Sequence, residues 1–219
     1  MTLYAKWRDT DLPYDAEVEY LESSGIQYIN TNVLAYEDLV CKIKNLTALR
    51  YVAWYGFVGL DDSNYGSNKR RWAFRFGGTS TSIGILTGAY SDSEGGTFLN
   101  FYIPYSVNTT LNEVTVKRTW IECDGRETYT GNILREYEVS SYPIFLFGIN
   151  QTGNIWRGCP CRIGGAMFKR EDVTVADFIA VRFTNENGVS EGAMYDRVSG
   201  QLFRNAGAGA FVIGPDKNT

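Results

Sequence analysis

Glu122-Cys-Asp-Gly-Arg-Glu127 places three carboxylates in one short stretch. Two carboxyl groups on one face, roughly 5–5.5 Å apart, can cleave a glycosidic bond, one as nucleophile and the other as general acid. On a straight strand Glu122 and Asp124 share a face and Glu127 falls on the other. Asp124-Gly125 changes this geometry, because Asp-Gly is a strong signal for a two-residue hairpin turn. In such a hairpin Cys123 pairs with Arg126, and Glu122 stands opposite Glu127 with Cβ atoms about 4.5–5.5 Å apart. Trp120 and Tyr129 then join the acids on the same face. Such a pair is either a glycosidase subsite or an exposed hairpin tip whose acids splay into water.

The second chemistry is recognition without turnover. Fifteen tyrosines, twelve phenylalanines and five tryptophans exceed what the core pattern requires. Sugars present flat C–H faces that stack on aromatic rings, while Asn, Asp and Arg satisfy their hydroxyls. The candidates are Trp156 and Asn150 in the glycine-rich stretch 148–158, Tyr65 in the loop 61–68, and Arg75. Trp72, Phe74 and Phe76 alternate onto one face of a strand, so Arg75 points to the other. Each candidate has a plainer reading: Trp156 as an anchor for its loop, Tyr65 as ordinary surface, Arg75 as the partner of a neighbouring acid. Trp54 and Trp72 read as core. Asp61, Asp62 and Asn64 cluster oxygens of the kind that bind calcium, the one metal the sequence suggests. Surface turns are rich in the same residues.

Other classes are excluded by composition. Histidine is absent, which removes Ser-His and Cys-His catalysis and the commonest metal ligand. The net charge is −4 and the basic residues are scattered apart from Lys69-Arg70-Arg71, so no nucleic-acid footprint is expected. No apolar run approaches the ~18 residues of a membrane span, and nothing at the N-terminus resembles a signal peptide. The four cysteines lack paired zinc spacing, and Cys159-Pro-Cys161 is too cramped for easy bridging. Cys41 and Cys123 read as small apolar strand residues. Asn-x-Thr sequons at Asn45, Asn108 and Asn150 carry meaning only in a eukaryotic source.

These residues need a scaffold, and the pattern supplies about a dozen short strands. A chain of 219 residues, 44% apolar, can bury roughly 70% of its unfolded surface and build a core without disulfides. Tyr51–Val58 is continuously apolar, like a strand covered on both faces. Glu171–Phe178 is the only helix-like stretch, at most a short turn. Residues 192–216 read as strand, Ser199-Gly200 turn, strand, glycine-rich loop, strand. Regular turn spacing argues for an all-β sandwich or barrel.

Four stretches carry a resemblance. Glu19-Tyr-Leu-Glu-Ser-Ser-Gly-Ile-Gln-Tyr-Ile-Asn-Thr-Asn32 and Tyr195-Asp-Arg-Val-Ser-Gly200 through Asn205-Ala-Gly-Ala-Gly-Ala-Phe-Val-Ile-Gly-Pro215 resemble the opening and closing motifs of concanavalin A-like lectin/glucanase superfamily domains of bacterial surface and phage proteins. Asn30 and Asn32 stand where the opening motif has aspartate and glycine. Glu122–Glu127 also matches the spacing ExDxxE of laminarinase-type retaining glycosidases, which share that sandwich. Thr2-Leu-Tyr-Ala-Lys-Trp7 resembles the last strand of a Listeria–Bacteroides (internalin B-type) repeat, so residues 1–13 are expected to be a repeat tail and linker, and 14–219 one domain.

The resemblance implies a jelly-roll β-sandwich of two antiparallel sheets, on an exported protein at the cell surface. It implies a non-catalytic glycan-recognition domain that takes a glycan or surface polysaccharide. The alternatives are a structural or adhesion module that binds a host or matrix protein, and a glycoside hydrolase using Glu122 and Glu127. No cofactor beyond calcium, no nucleic acid and no membrane insertion are expected.

Overall fold

The structure is a computed structural model that describes residues 12–52, 54–62, 71–76, 84–90, 103–117, 120–129 and 139–217, with backbone alone for 71, 84–90, 103–104 and 126–129. Among these residues there is no helix. The strands begin with β1 (Ala16–Glu17), β2 (Leu21–Ser24), β3 (Ile29–Leu34), β4 (Val40–Ala48), β5 (Gly56–Asp61), β6 (Arg71–Phe76) and β7 (Gly84–Tyr90). They continue with β8 (Ile103–Tyr105), β9 (Thr110–Lys117), β10 (Trp120–Cys123), β11 (Arg126–Tyr129), β12 (Pro143–Leu146), β13 (Ile149–Gln151) and β14 (Asn154–Trp156). Last come β15 (Pro160–Ile163), β16 (Gly165–Arg170), β17 (Val173–Thr184), β18 (Ser190–Asp196), β19 (Gln201–Arg204) and β20 (Val212–Ile213).

They form a β-sandwich. The first sheet has the order β11-β10-β9-β4-β16-β17-β18-β19, with β1 on β17 and with β15, β2 and β20 continuing from β4. The second has the order β14-β13-β5-β6-β7-β8, with β12 between β5 and β3. Neighbours run antiparallel except β13 and β5, which meet in parallel at Asn150 and Leu60. The core lies between the sheets, because period-2 alternation turns one set of side chains from each strand inward. Cys41, Ile43, Val114, Val116, Phe168 and Phe178 from the first sheet meet Phe57, Leu60, Trp72, Phe74, Phe76 and Leu146 from the second. Each fully buried Phe or Leu contributes about 1.5–3 kcal/mol. All four cysteines are buried and unbridged.

The helix-like stretch holds only a short turn, and one expected strand is shorter than its apolar run. Residues 171–178 are not helical: Glu171 and Asp172 form a tight turn at φ 45° and 64°, and β17 follows. The β-branched Val173-Thr-Val175 and the ladder between β16 and β17 override the weak helical pattern. Nor is Tyr51–Val58 one strand. Tyr55 N–H donates to Val52 O (3.1 Å), Trp54 adopts φ 67°, and the strand starts only at Gly56.

The two sequence motifs at opposite ends of the domain interlock. In the opening motif, Ser24 N–H donates to Gln27 Oε1 (2.8 Å), and Gln27 Nε2 donates across to Ala210 O (3.1 Å). Asn205 Oδ1 accepts from Tyr28 N–H (3.2 Å) and Gly207 N–H (2.9 Å), while its Nδ2 donates to Gly209 O (2.8 Å). Ala206 N–H donates to Tyr28 O (2.9 Å). Asn32 keeps a left-handed φ of 58°, with its N–H on Asn30 Oδ1 (3.1 Å). Asparagine is among the few side chains that tolerate this conformation, so β3 passes through an irregularity in its pairing with β12 without needing glycine here. The two ends of the described chain also run side by side: Glu19 N–H donates to Pro215 O (2.9 Å) and Lys217 N–H to Glu17 O (2.9 Å).

Candidate functional site

The hairpin β10–β11 has the register its sequence implies. Asp124 and Gly125 take φ 46° and 78°, the left-handed pair of a two-residue turn, and Glu122 lies opposite Glu127 with Cys123 opposite Arg126. Ile121 and Cys123 point into the core, so half-buried Glu122 stands on the outward face, one strand in from the β11 edge of the first sheet. Burial first, then the neighbouring Asp124 and Glu122 carboxylates, push the Cys123 thiol up to about 12. Asp124 has a turn-forming role. Its carboxylate accepts from Glu113 N–H (3.0 Å) and Asn112 N–H (3.3 Å), so it caps the β9 backbone rather than facing a substrate.

The recognition candidates lie on the second sheet or outside the described residues, where Tyr65 and Asn64 fall. Arg75 does turn away from the core, as alternation requires, but it is only 2% exposed. Its guanidinium lies 4.7 Å from the centre of the Trp54 ring. Trp54 is therefore not core. The turn at 52–55 carries it to the outward face, where it covers Arg75 and remains partly exposed. Asn150 is fully buried, and its amide is committed internally: Nδ2 donates to Pro143 O (2.6 Å) and Oδ1 accepts from Gly153 N–H (2.7 Å). It braces the β13–β14 turn instead of presenting hydrogen bonds outward, a distinction that a polar loop sequence does not encode.

Trp156 pairs with Ile149 across that hairpin and packs on Ile149 and Ala73. The neighbouring Arg157 guanidinium sits 3.7 Å from its ring centre, and Arg157 O accepts from Gly56 N–H (2.9 Å). Ala73 and Arg75 are two residues apart on β6, so the Trp54–Arg75 and Trp156–Arg157 stacks share one sheet face. Gly56 makes the close packing possible, since a Cβ there would come within 2.4 Å of Ile149 Cγ1. Ring over guanidinium is a favourable arrangement, worth about 0.5–2 kcal/mol, and it fixes both partners. The result is a preorganised surface of two partly exposed indoles, one lying over the buried Arg75 and the other beside the partly exposed Arg157. Sequence reasoning missed Trp54 and Arg157. The short signal was there for Arg157, which follows Trp156 directly, whereas Trp54 was hidden inside an apolar run.

Asp61 and Asp62 are buried at the end of β5, and Ser140 Oγ donates to Asp62 Oδ2 (2.7 Å). Among the described residues no group of three or more acidic or cysteine side chains is placed to hold a metal ion. A scan against protein-family models finds no match to this chain, and no curated protein matches it.

Proposed function

We propose that this domain recognises carbohydrate without cleaving it, as a lectin-like module of an exported surface protein. The observation that carries the reading is the pair of indole–guanidinium stacks on one face of the second sheet, Trp54 on Arg75 and Trp156 beside Arg157. Saccharide C–H faces stack on indole, the buried Arg75 holds the Trp54 ring in place, and the partly exposed Arg157 guanidinium can donate to hydroxyls with little ordering cost. The resemblance of residues 19–32 and 195–215 to lectin/glucanase domains points the same way, as does the repeat-like stretch 2–7 for the surface setting. A glycan array should return at least one saccharide ligand. Trp54→Ala and Trp156→Ala should each weaken its binding about tenfold, or about 1.4 kcal/mol. An array without response, or binding that both variants retain in full, would remove the proposal. Capture of a host or matrix protein with no saccharide response would move the reading to an adhesion module.

A second reading, glycoside hydrolysis, is favoured by one observation, the alignment of Glu122 with Glu127 across β10–β11. On this reading the wild-type domain releases reducing ends from a β-glucan or host glycan, and Glu122→Gln abolishes that release while leaving binding intact. Wild-type protein that releases none on such substrates leaves recognition alone.

A further inference from the structure

We propose a second ligand site, on the outward face of the first sheet, that takes a neutral saccharide unit. A cavity of about 390 Å³ opens there between β15, β4, β9 and the segment before β2. Cys161 and Ile163 of β15 face the core, so Arg162 between them faces outward, aligned with Glu22 and Thr47. Its Nε donates to Glu22 Oε2 (2.7 Å), and its guanidinium lies 4.6 Å from the Tyr20 ring centre. This side chain is therefore held from two sides with its terminal N–H groups left over. Thr47 and Thr110, both lining the cavity, hydrogen-bond through their hydroxyls (2.8 Å). Asn45 completes the rim. Lys44 and Asn45 are consecutive exposed residues between buried Ile43 and Leu46, and φ 52° at Asn45 absorbs the break in alternation.

The lining selects the ligand class. Its two cations are already matched, Arg162 with Glu22 (2.7 Å) and Lys217 with Glu17 (3.4 Å), and Glu19 adds a further negative charge. No surplus positive charge remains to hold an anion. Of the lining residues only Tyr20 carries an apolar ring, and the other six are polar or charged, which disfavours a purely hydrophobic ligand. What remains is a fixed mixture of donors and acceptors: guanidinium, amide, carboxylate and three hydroxyls. That mixture suits adjacent sugar hydroxyls, each of which both donates and accepts. The volume lies near the lower end of the roughly 300–1,000 Å³ of small-molecule sites, room for one or two sugar rings. The site is on the opposite sheet from Trp54 and Trp156, so it stands whether or not that face binds, and with both occupied the domain is bivalent.

The test is an amide-shift NMR titration of the domain with the methyl glycosides of glucose, galactose and mannose and with N-acetylglucosamine, with sodium glucuronate as the charged comparison. At least one neutral sugar should shift the amides of Asn45, Thr47, Thr110 and Arg162 saturably. Trp156→Ala should leave those shifts unchanged, which separates this site from the tryptophan face. Thr110→Val, at an exposed position, and Arg162→Met should each weaken the effect about tenfold. The proposal falls if no neutral sugar moves these amides in folded protein. It also falls if glucuronate alone moves them, or if the shifts persist undiminished in both variants.

Discussion

Alanine at Gly207 is expected to destabilise the domain by about 3 kcal/mol, at the upper end of what overpacking usually costs. The loop 205–210 lies flat against the turn of the opening motif. Ala206 N–H bonds Tyr28 O (2.9 Å) and Ala208 N–H bonds Ile26 O (3.3 Å), so the backbone between them cannot lift. A Cβ on Gly207 would stand 2.0 Å from Ile26 O and 3.0 Å from Tyr28 Cδ1. The first of these is a backbone atom inside a hydrogen-bonded turn and has no rotamer to escape into. Relief requires the loop to pull away, which strains the Asn205 bonds to Tyr28 and Gly209 together. Gly188 provides the comparison. It has φ 76°, but an added Cβ there meets nothing within 4 Å, so its alanine variant should lose only the left-handed conformational term, about 1–2 kcal/mol. Urea midpoints at unchanged m-value measure both. Equal losses would mean that the two motifs do not interlock as described.

How much of this was legible in the sequence depends on what each signal encodes. Alternation in Trp72–Phe76 gave the correct faces, and Asp124-Gly125 and Ser199-Gly200 gave correct turns, because these are local properties of the chain. Val18, Phe74, Phe147 and Phe211 are buried as a sandwich requires. Alternation does not say whether the outward face is itself covered. Arg75 was placed on the right side of its strand and still proved buried, because Trp54 folds over it. Asn150 failed for a related reason. A polar residue in a glycine-rich stretch reads as available, yet the turn at 151–153 needs its amide. The outward cavity was invisible altogether. Tyr20, Asn45, Thr110 and Arg162 come from four distant segments, and only the pairings of β15 with β2 and β4, and of β4 with β9, bring them together.

The tryptophan face and the acid pair differ in what holds them. The tryptophan face rests on packing, since both rings are held by guanidinium groups and by small residues of β5 and β6. The Glu122–Glu127 alignment rests on register alone. Register brings two acids opposite each other in any Asp-Gly hairpin with this spacing. Only an enclosing, dry environment makes such a pair catalytic, by shifting one carboxyl toward the acid form. On this ground we put the recognition reading first.

Asp196→Asn should cost about 2–3 kcal/mol at neutral pH, and the loss should shrink in acid. Asp196 ends β18 and is 4% exposed. Its Oδ1 accepts from Asp177 N–H (2.7 Å) and Val198 N–H (3.1 Å), and its Oδ2 from Ser199 N–H (3.2 Å) and Ser199 Oγ (2.6 Å). Burial alone would raise its pKa, but the donors from Asp177, Ser199 and Val198 outweigh burial and hold it below the ordinary 3.8. A carboxyl whose pKa is lower folded than unfolded stabilises the fold above the unfolded value, and that contribution disappears as pH falls through the folded value. Asparagine would turn an N–H₂ group toward backbone N–H donors, leaving at least one of them unsatisfied in a buried turn. Between pH 5 and 7 the gap between wild type and variant should be constant. Below about pH 4 the wild type should lose stability faster, and the two unfolding curves should converge. The Arg182–Asp216 pair (2.8 Å) also lowers a carboxyl, but it is exposed and should contribute little to this acid response. Parallel curves down to pH 2 would show that the Asp196 charge is not what holds the β18–β19 turn.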